Sequence, residues 1–260
     1  MLVSLANNLA FAHYPKTAES SVATWFFQTF PDAQYVRAGD PHTHVRRSLA
    51  CLTGGRSLSA FQRLQFFSRT SNWRHQTQPT AGLETSIRIF GIVRPPFAML
   101  ASLAAYWRRV PPMKAPNNRF ATAAREGRFS DFVRLATSGR LPSYRKFFDV
   151  GGPAWANTRL IHFEDLETGL QTQMNRWGID CRFALPQVNC RPSGSWIPDP
   201  EGALDARLQA AVRRHFSWYY ETWFDEQMPR ATCTTPHTQP RWERPRQPTR
   251  MPLQRSRHRS

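Results

Sequence analysis

Three times along this 260-residue chain an apolar, strand-like segment stops abruptly at a loop and gives way to a helical pattern. That recurring unit constrains the fold more than any other feature. The first unit is "NLAFAHY" (8–14), then "PKTAESS", then residues 20–30, where Val22, Trp25, Phe26, Thr29 and Phe30 fall on one helical face. The second is "SIRIFGIV" (86–93), then "RPP", then "FAMLASLAAYW", with Pro96 in the first helical turn that suits a proline. The third is "TRLIHFEDL" (158–166), which ends in two acids and leads into a helix through about Trp177. One long amphipathic helix follows, carrying Leu204, Leu208, Val212, Phe216, Tyr219 and Trp223. Strands alternating with helices predict a mostly parallel sheet covered on both faces. Residues 40–80 and 111–157 are rich in Arg, Ser, Pro and Asn with short helical patches, and they read as insertions around a site. The chain shows no internal repeat.

The opening "MLVSLANNLAFAHYPK" lacks a basic leader and a small-residue cleavage site, and its apolar residues run straight into the following loop, so it reads as a first strand. No apolar stretch approaches the roughly 20 residues of a membrane span. The cysteines, Cys51, Cys181, Cys190 and Cys233, show neither CxxC spacing nor the density of a disulfide scaffold, so they read as incidental thiols. A cytoplasmic location is the expectation. The formal charge is +17, but residues 229–260 hold eight arginines against Glu243, leaving +7 there and +10 in the rest. That segment is rich in Pro, Arg, Thr and Gln without apolar period, which predicts a disordered tail after a domain spanning 1–228. It suits either polyanion binding by counterion release or plain solvation; specific nucleic-acid recognition is not expected.

Lys16 is one of three lysines in a chain with 32 arginines, and it stands where the first strand breaks at Pro15. In parallel α/β sheets ligands bind beyond the carboxyl ends of strands, where loops turn into helix N-termini. Unpaired N–H groups there, with the hydroxyls of Thr17, Ser20 and Ser21, would surround an anion, and Lys16 adds a mobile point charge. GxxxxGK[ST] is absent, so this is not a Walker A loop. Arg94 follows the second strand directly and Ser102 lies eight positions on, in the next helix. Anion contacts at two strand ends suggest a ligand with two separated phosphates.

At this point the sequence resembles the sulfotransferases that use 3'-phosphoadenosine 5'-phosphosulfate. Their 5'-phosphosulfate loop looks like "PKTAGTS" or "PKTASTS", here Pro15 to Ser21, and their 3'-phosphate motif is an arginine after a strand, a proline, and a serine eight residues on, here Arg94, Pro95 and Ser102. Similarity to carbohydrate 2-O-sulfotransferases and their bacterial relatives extends to "RHQT", "LIHFEDL" and "LPQVNCRPSG", covering roughly residues 9–224. The combination and order of the motifs carry the likeness. It implies a P-loop-like three-layer α/β fold, a central mostly parallel sheet with helices on both faces.

The resemblance also implies transfer of a sulfuryl group to a hydroxyl acceptor on a carbohydrate or glycolipid, with the donor nucleotide as co-substrate and no metal. Donor contacts would come from Pro15, Lys16, Thr17, Ala18, Glu19, Ser20, Ser21, Arg94, Ser102 and Arg191, with Asn189 and Ser193 ranked below them. Lys16 would neutralise charge on the leaving phosphate. Glu19 departs from the small residue usual at its position, and it is expected to turn toward solvent at the helix start, where the dipole favours an acid. For the general base the candidates are His75, favoured from its place in "WRHQT", then His13 and Glu84. Glu84 and the pair Glu164 and Asp165 also read as structural, bracing helix N-termini and arginines, with Glu164 able to brace Arg94. Two other readings stay open: a weakened sulfotransferase-fold protein that binds nucleotide or polyanion, and a P-loop-related nucleotide kinase.

Overall fold

In the computed structural model, which describes residues 1–36, 42–52, 86–115, 117–180, 184–188 and 197–223, the apolar N-terminus folds back on itself and is not one strand. Strand β1 (Leu2–Ser4) turns through Leu5–Asn8 into the antiparallel strand β2 (Leu9–Ala12), pairing Leu2 with Phe11 and Ser4 with Leu9. The turn is held by polar contacts that an apolar count overlooks. Asn8 takes a positive φ of 48°, a conformation Asn tolerates well. The Asp32 carboxylate accepts from the Ser4 hydroxyl at 2.6 Å and the Ala6 N–H at 2.9 Å.

Among the described residues three further strands join the sheet: β3 (Gln34–Tyr35), β4 (Arg88–Val93) and β5 (Thr158–His162), in the order β3-β1-β2-β4-β5. β2, β4 and β5 are parallel, and β1 is antiparallel to both of its neighbours. Four strands therefore point one way and β1 alone is reversed.

Alternation along the strands sends side chains into two cores. On one face Leu9, Phe11, Phe90, Ile92 and Ile161 pack against helix α1 (Glu19–Thr29) and the later helix Leu166–Arg176. An isolated helix of α1's length is marginal in water. Burial of its Val22, Trp25 and Phe26 stabilises it by roughly 1.5–3 kcal/mol for each large side chain. On the other face Ala10, Ala12, Ile89 and Val93 meet α2 (Val45–Leu52), α3 (Pro96–Arg109), α5 (Phe129–Leu135) and α6 (Tyr144–Phe147). Between α3 and α5 lies α4 (Arg119–Glu126), capped by the Asn118 side chain accepting from the Phe120 and Ala121 N–H groups. The Leu166–Arg176 helix is α7.

The long amphipathic helix expected near the C-terminal side is two helices, α8 (Ala206–His215) and α9 (Ser217–Trp223). Phe216 leaves helical geometry between them (φ −109°, ψ 28°), which lets its ring and that of Tyr219 lie 5.2 and 5.8 Å from the Tyr144 ring. The aromatic packing outweighs the continuity of one helix. Gly91, at the middle of β4, is required by the same cluster: a Cβ there would overlap the buried Phe148 ring. No helix among the described residues is long and apolar enough to cross a membrane.

Candidate functional site

The loops that follow β2, β4 and β5 open onto one cleft of about 1660 Å³. Lys16, Ala18, Glu19, Ser20 and Ser21 line it from the first loop and the start of α1, Arg94 and Ser102 from the second loop and α3, and Phe163 and Glu164 from the third. Residues 185–188 close another wall. Most of the predicted anion contacts thus share one cavity, although they come from segments far apart in sequence.

The first loop has a backbone that its composition conceals. Lys16 (φ 63°) and Ala18 (φ 59°) are both left-handed, with Thr17 between them at negative φ, and neither is glycine. Alternating backbone signs of this kind turn successive N–H groups toward one concavity, which binds anions. Ala18 is also the N-cap of α1, and it offers no side-chain cap. A left-handed non-glycine residue costs on the order of 1 kcal/mol, so the surroundings must hold the loop. Thr17 does part of this: it is fully buried, does not line the cleft, and donates its hydroxyl to the Tyr14 carbonyl at 2.8 Å. Pro15 is buried behind the loop and is likewise no part of the cleft wall. Lys16 is half-buried, its Nζ 4.9 Å from the centre of the Tyr106 ring. The Ser21 hydroxyl meets the Val188 backbone, accepting from its N–H at 3.1 Å, so the loop and the 184–188 segment are joined.

Glu19 does not turn to solvent. Its Oε2 lies 3.5 Å from Nδ1 of His42, which is also 3.2 Å from the His13 carbonyl. A carbonyl only accepts, so His42 donates from Nδ1 to the His13 carbonyl, with the Glu19 carboxylate alongside. His13 itself is buried against Phe11 and Tyr35, its Nε2 has no hydrogen-bond partner among the described residues, and burial pulls its pKa well below the ordinary value. It does not line the cleft.

Arg94 sits at the hinge between β4 and α3 with its guanidinium 4.3 Å from the centre of the Phe163 ring. Among the described residues no carboxylate forms an ion pair with it and its buried Nε has no hydrogen-bond partner. Glu164 therefore does not brace it. Burial lowers the Arg94 pKa while the Glu164 field and Tyr144 oppose the shift, and a guanidinium stays charged through such a change. The backbone of Arg94 is held by a residue the motif search passed over: the Tyr144 hydroxyl donates to the Arg94 carbonyl at 2.7 Å and accepts from its N–H at 3.3 Å. Burial raises the pKa of both Tyr14 and Tyr144, so both hydroxyls keep their protons. The only sequence signal for these tyrosines is aromatic density in "SYRKFF" and at the end of "AFAHY".

His75, Glu84, Asn189, Arg191 and Ser193, and the segment 229–260, lie outside the described residues. A scan against protein-family models finds no match for this chain, and searches of curated proteins and of solved structures find none either.

Proposed function

We propose that the protein is a sulfotransferase that moves a sulfuryl group from 3'-phosphoadenosine 5'-phosphosulfate to a hydroxyl on a carbohydrate or glycolipid. The observation that carries this reading is the convergence on one cleft of two strand ends that each carry a cationic side chain. Lys16 with Ser20 and Ser21 stands at one, and Arg94, which has no carboxylate partner among the described residues, stands with Ser102 at the other. Two separated cationic subsites suit a nucleotide with phosphates at both the 5' and 3' positions.

In the reaction the acceptor oxygen attacks sulfur, the bond from sulfur to the bridging phosphate oxygen breaks, and its electron pair leaves on the nucleotide as adenosine 3',5'-bisphosphate. Lys16 and the loop N–H groups stabilise that developing charge, which is where such a transfer gains most. The acceptor proton passes to a base, for which His75 is the proposed residue. Glu19 also lines this cleft, with its Oε2 3.5 Å from Nδ1 of His42, so the donor must be held with an acid in its loop.

A kinase reading predicts preference for ATP with magnesium. A polyanion-binding reading predicts salt-sensitive association without nucleotide selectivity. Thermal shift with adenosine 3',5'-bisphosphate, ATP, ADP and NAD separates the three, because a ligand selective for the folded state raises the melting temperature. The reading requires the bisphosphate to give the largest shift. A larger shift with ATP and magnesium, or none with any nucleotide, overturns it.

A further inference from the structure

The two anion loops are not independently mounted. Tyr14, immediately before Pro15, donates its hydroxyl to the Pro142 carbonyl at 2.6 Å, and its ring lies 4.6 Å from that of Tyr144 and 5.0 Å from Phe147. Tyr144, two residues beyond Pro142, makes both of its hydroxyl contacts with the Arg94 backbone. A single buried aromatic cluster therefore grips the stem of the first loop and the pivot of the second. The Arg94 peptide needs such a grip, because it falls between β4 and α3, where neither ladder nor helix supplies both of its partners. A hydroxyl that donates to the carbonyl and accepts from the N–H of one residue ties down the peptide units on both sides of its Cα, and the direction of the guanidinium follows.

We propose that Tyr144 is a positioning residue that aims Arg94 at the second phosphate. The inference rests on the reading of Arg94 as the 3'-phosphate ligand. Tyr144 does not itself line the cleft. Its hydroxyl acts only through Arg94, so its loss is felt by ligands that carry the second phosphate and not by those that lack it.

The test is Tyr144→Phe, which keeps the ring packing and removes only the oxygen. Calorimetric affinities are measured for adenosine 3',5'-bisphosphate and adenosine 5'-phosphate, with amide hydrogen exchange followed over the β4–α3 junction. The bisphosphate is expected to weaken about tenfold, the size of a lost buried hydrogen bond or two. The monophosphate should change less than about twofold, and the Arg94 amide should exchange faster. In an Arg94→Ala background Tyr144→Phe should have no further effect on the bisphosphate, because the residue it serves is gone. Met174→Ala, a core truncation on the opposite face of the sheet, is the control for lost stability and should leave the ratio of the two affinities unchanged. Equal weakening of both ligands, a bisphosphate loss that persists without Arg94, or unaltered exchange at Arg94 overturns the positioning role. If the unmodified protein does not prefer bisphosphate to monophosphate, the sulfotransferase reading fails instead. The exchange measurement then decides by itself whether Tyr144 holds the Arg94 peptide.

Discussion

Adding one methyl group at Gly91 probes the packing on which both loops depend. A Cβ at this position would overlap the Phe148 ring and lie 3.0 Å from Cδ2 of Leu160 on the neighbouring strand. Phe148 cannot swing aside cheaply. It is fully buried, with Phe147, Tyr144 and Tyr14 at ring separations of 5.0, 6.2 and 6.3 Å. Overpacking of this kind costs about 1–3 kcal/mol, and the better strand behaviour of Ala over Gly returns roughly 0.5–1 kcal/mol. The expected net loss for Gly91→Ala is therefore about 1–2 kcal/mol, or roughly 2–8 °C in melting temperature for a domain of this size. Urea unfolding should show a lower midpoint at unchanged slope, since the surface exposed on unfolding is the same. In a cycle with Phe148→Leu, the cost of Gly91→Ala should shrink by at least ~0.5 kcal/mol, because the clashing ring has been removed. A Gly91→Ala protein as stable as the parent, or a double variant whose losses simply add, would refute this account of the cluster.

Lys16→Ala should lower sulfuryl transfer by about 10²–10³, the usual effect of removing one group that stabilises developing negative charge, with an unchanged melting temperature. Full turnover of labelled donor with a polysaccharide or glycolipid acceptor would remove Lys16 from the mechanism. His75→Ala should slow the chemical step by about 10²–10⁴ and leave bisphosphate affinity intact; a single-turnover rate equal to the parent's places the base elsewhere. Because burial holds the His13 pKa below its unfolded value near 6.5, the unfolded chain binds the extra proton first, so stability is complete above that pH and falls as the solution is acidified below it. The slope from this one group reaches at most about 1.4 kcal/mol per pH unit, and it should be absent in His13→Phe. His215, lowered in the same direction by burial, keeps its own smaller share of the acid sensitivity in that variant, and coincident stability profiles for the two proteins would contradict the assignment. Truncation after Met228 should leave nucleotide affinity and melting temperature unchanged, and a marked loss in either would show that the removed segment docks on the domain.

The parts of the fold that could be read from sequence are those governed by local pattern. β4 and β5 are apolar runs closed by Arg94-Pro95 or by Glu164-Asp165, and α1, α3 and α7 begin where those breaks predict. The N-terminal hairpin was hidden because its turn depends on Asp32, beyond the next helix, and not on Gly or Pro within the turn. The break at Phe216 was hidden because helical spacing is the same on either side of it. Lys16, Ser20, Ser21, Arg94 and Ser102 were legible as cleft residues, since position after a strand is itself a local signal. Thr17 carried the same signal but serves the loop from behind. Tyr14, Tyr144 and the Glu19–His42 pair were not legible: each works through a partner in a different element, and no spacing rule connects them.

A loop that takes two left-handed turns without glycine also sets a limit on transplantation. The seven residues from Pro15 to Ser21 do not encode their own shape; Thr17 ties it to the Tyr14 carbonyl and Ser21 to the Val188 backbone. Excised as a peptide, or spliced between a strand and a helix of another scaffold, the same letters would relax toward ordinary backbone angles and lose the concavity. The segment is therefore a poor portable module, and a short match to it in an unrelated chain is weak ground for inferring an anion site unless the tyrosine before it and a backbone partner opposite Ser21 are present as well.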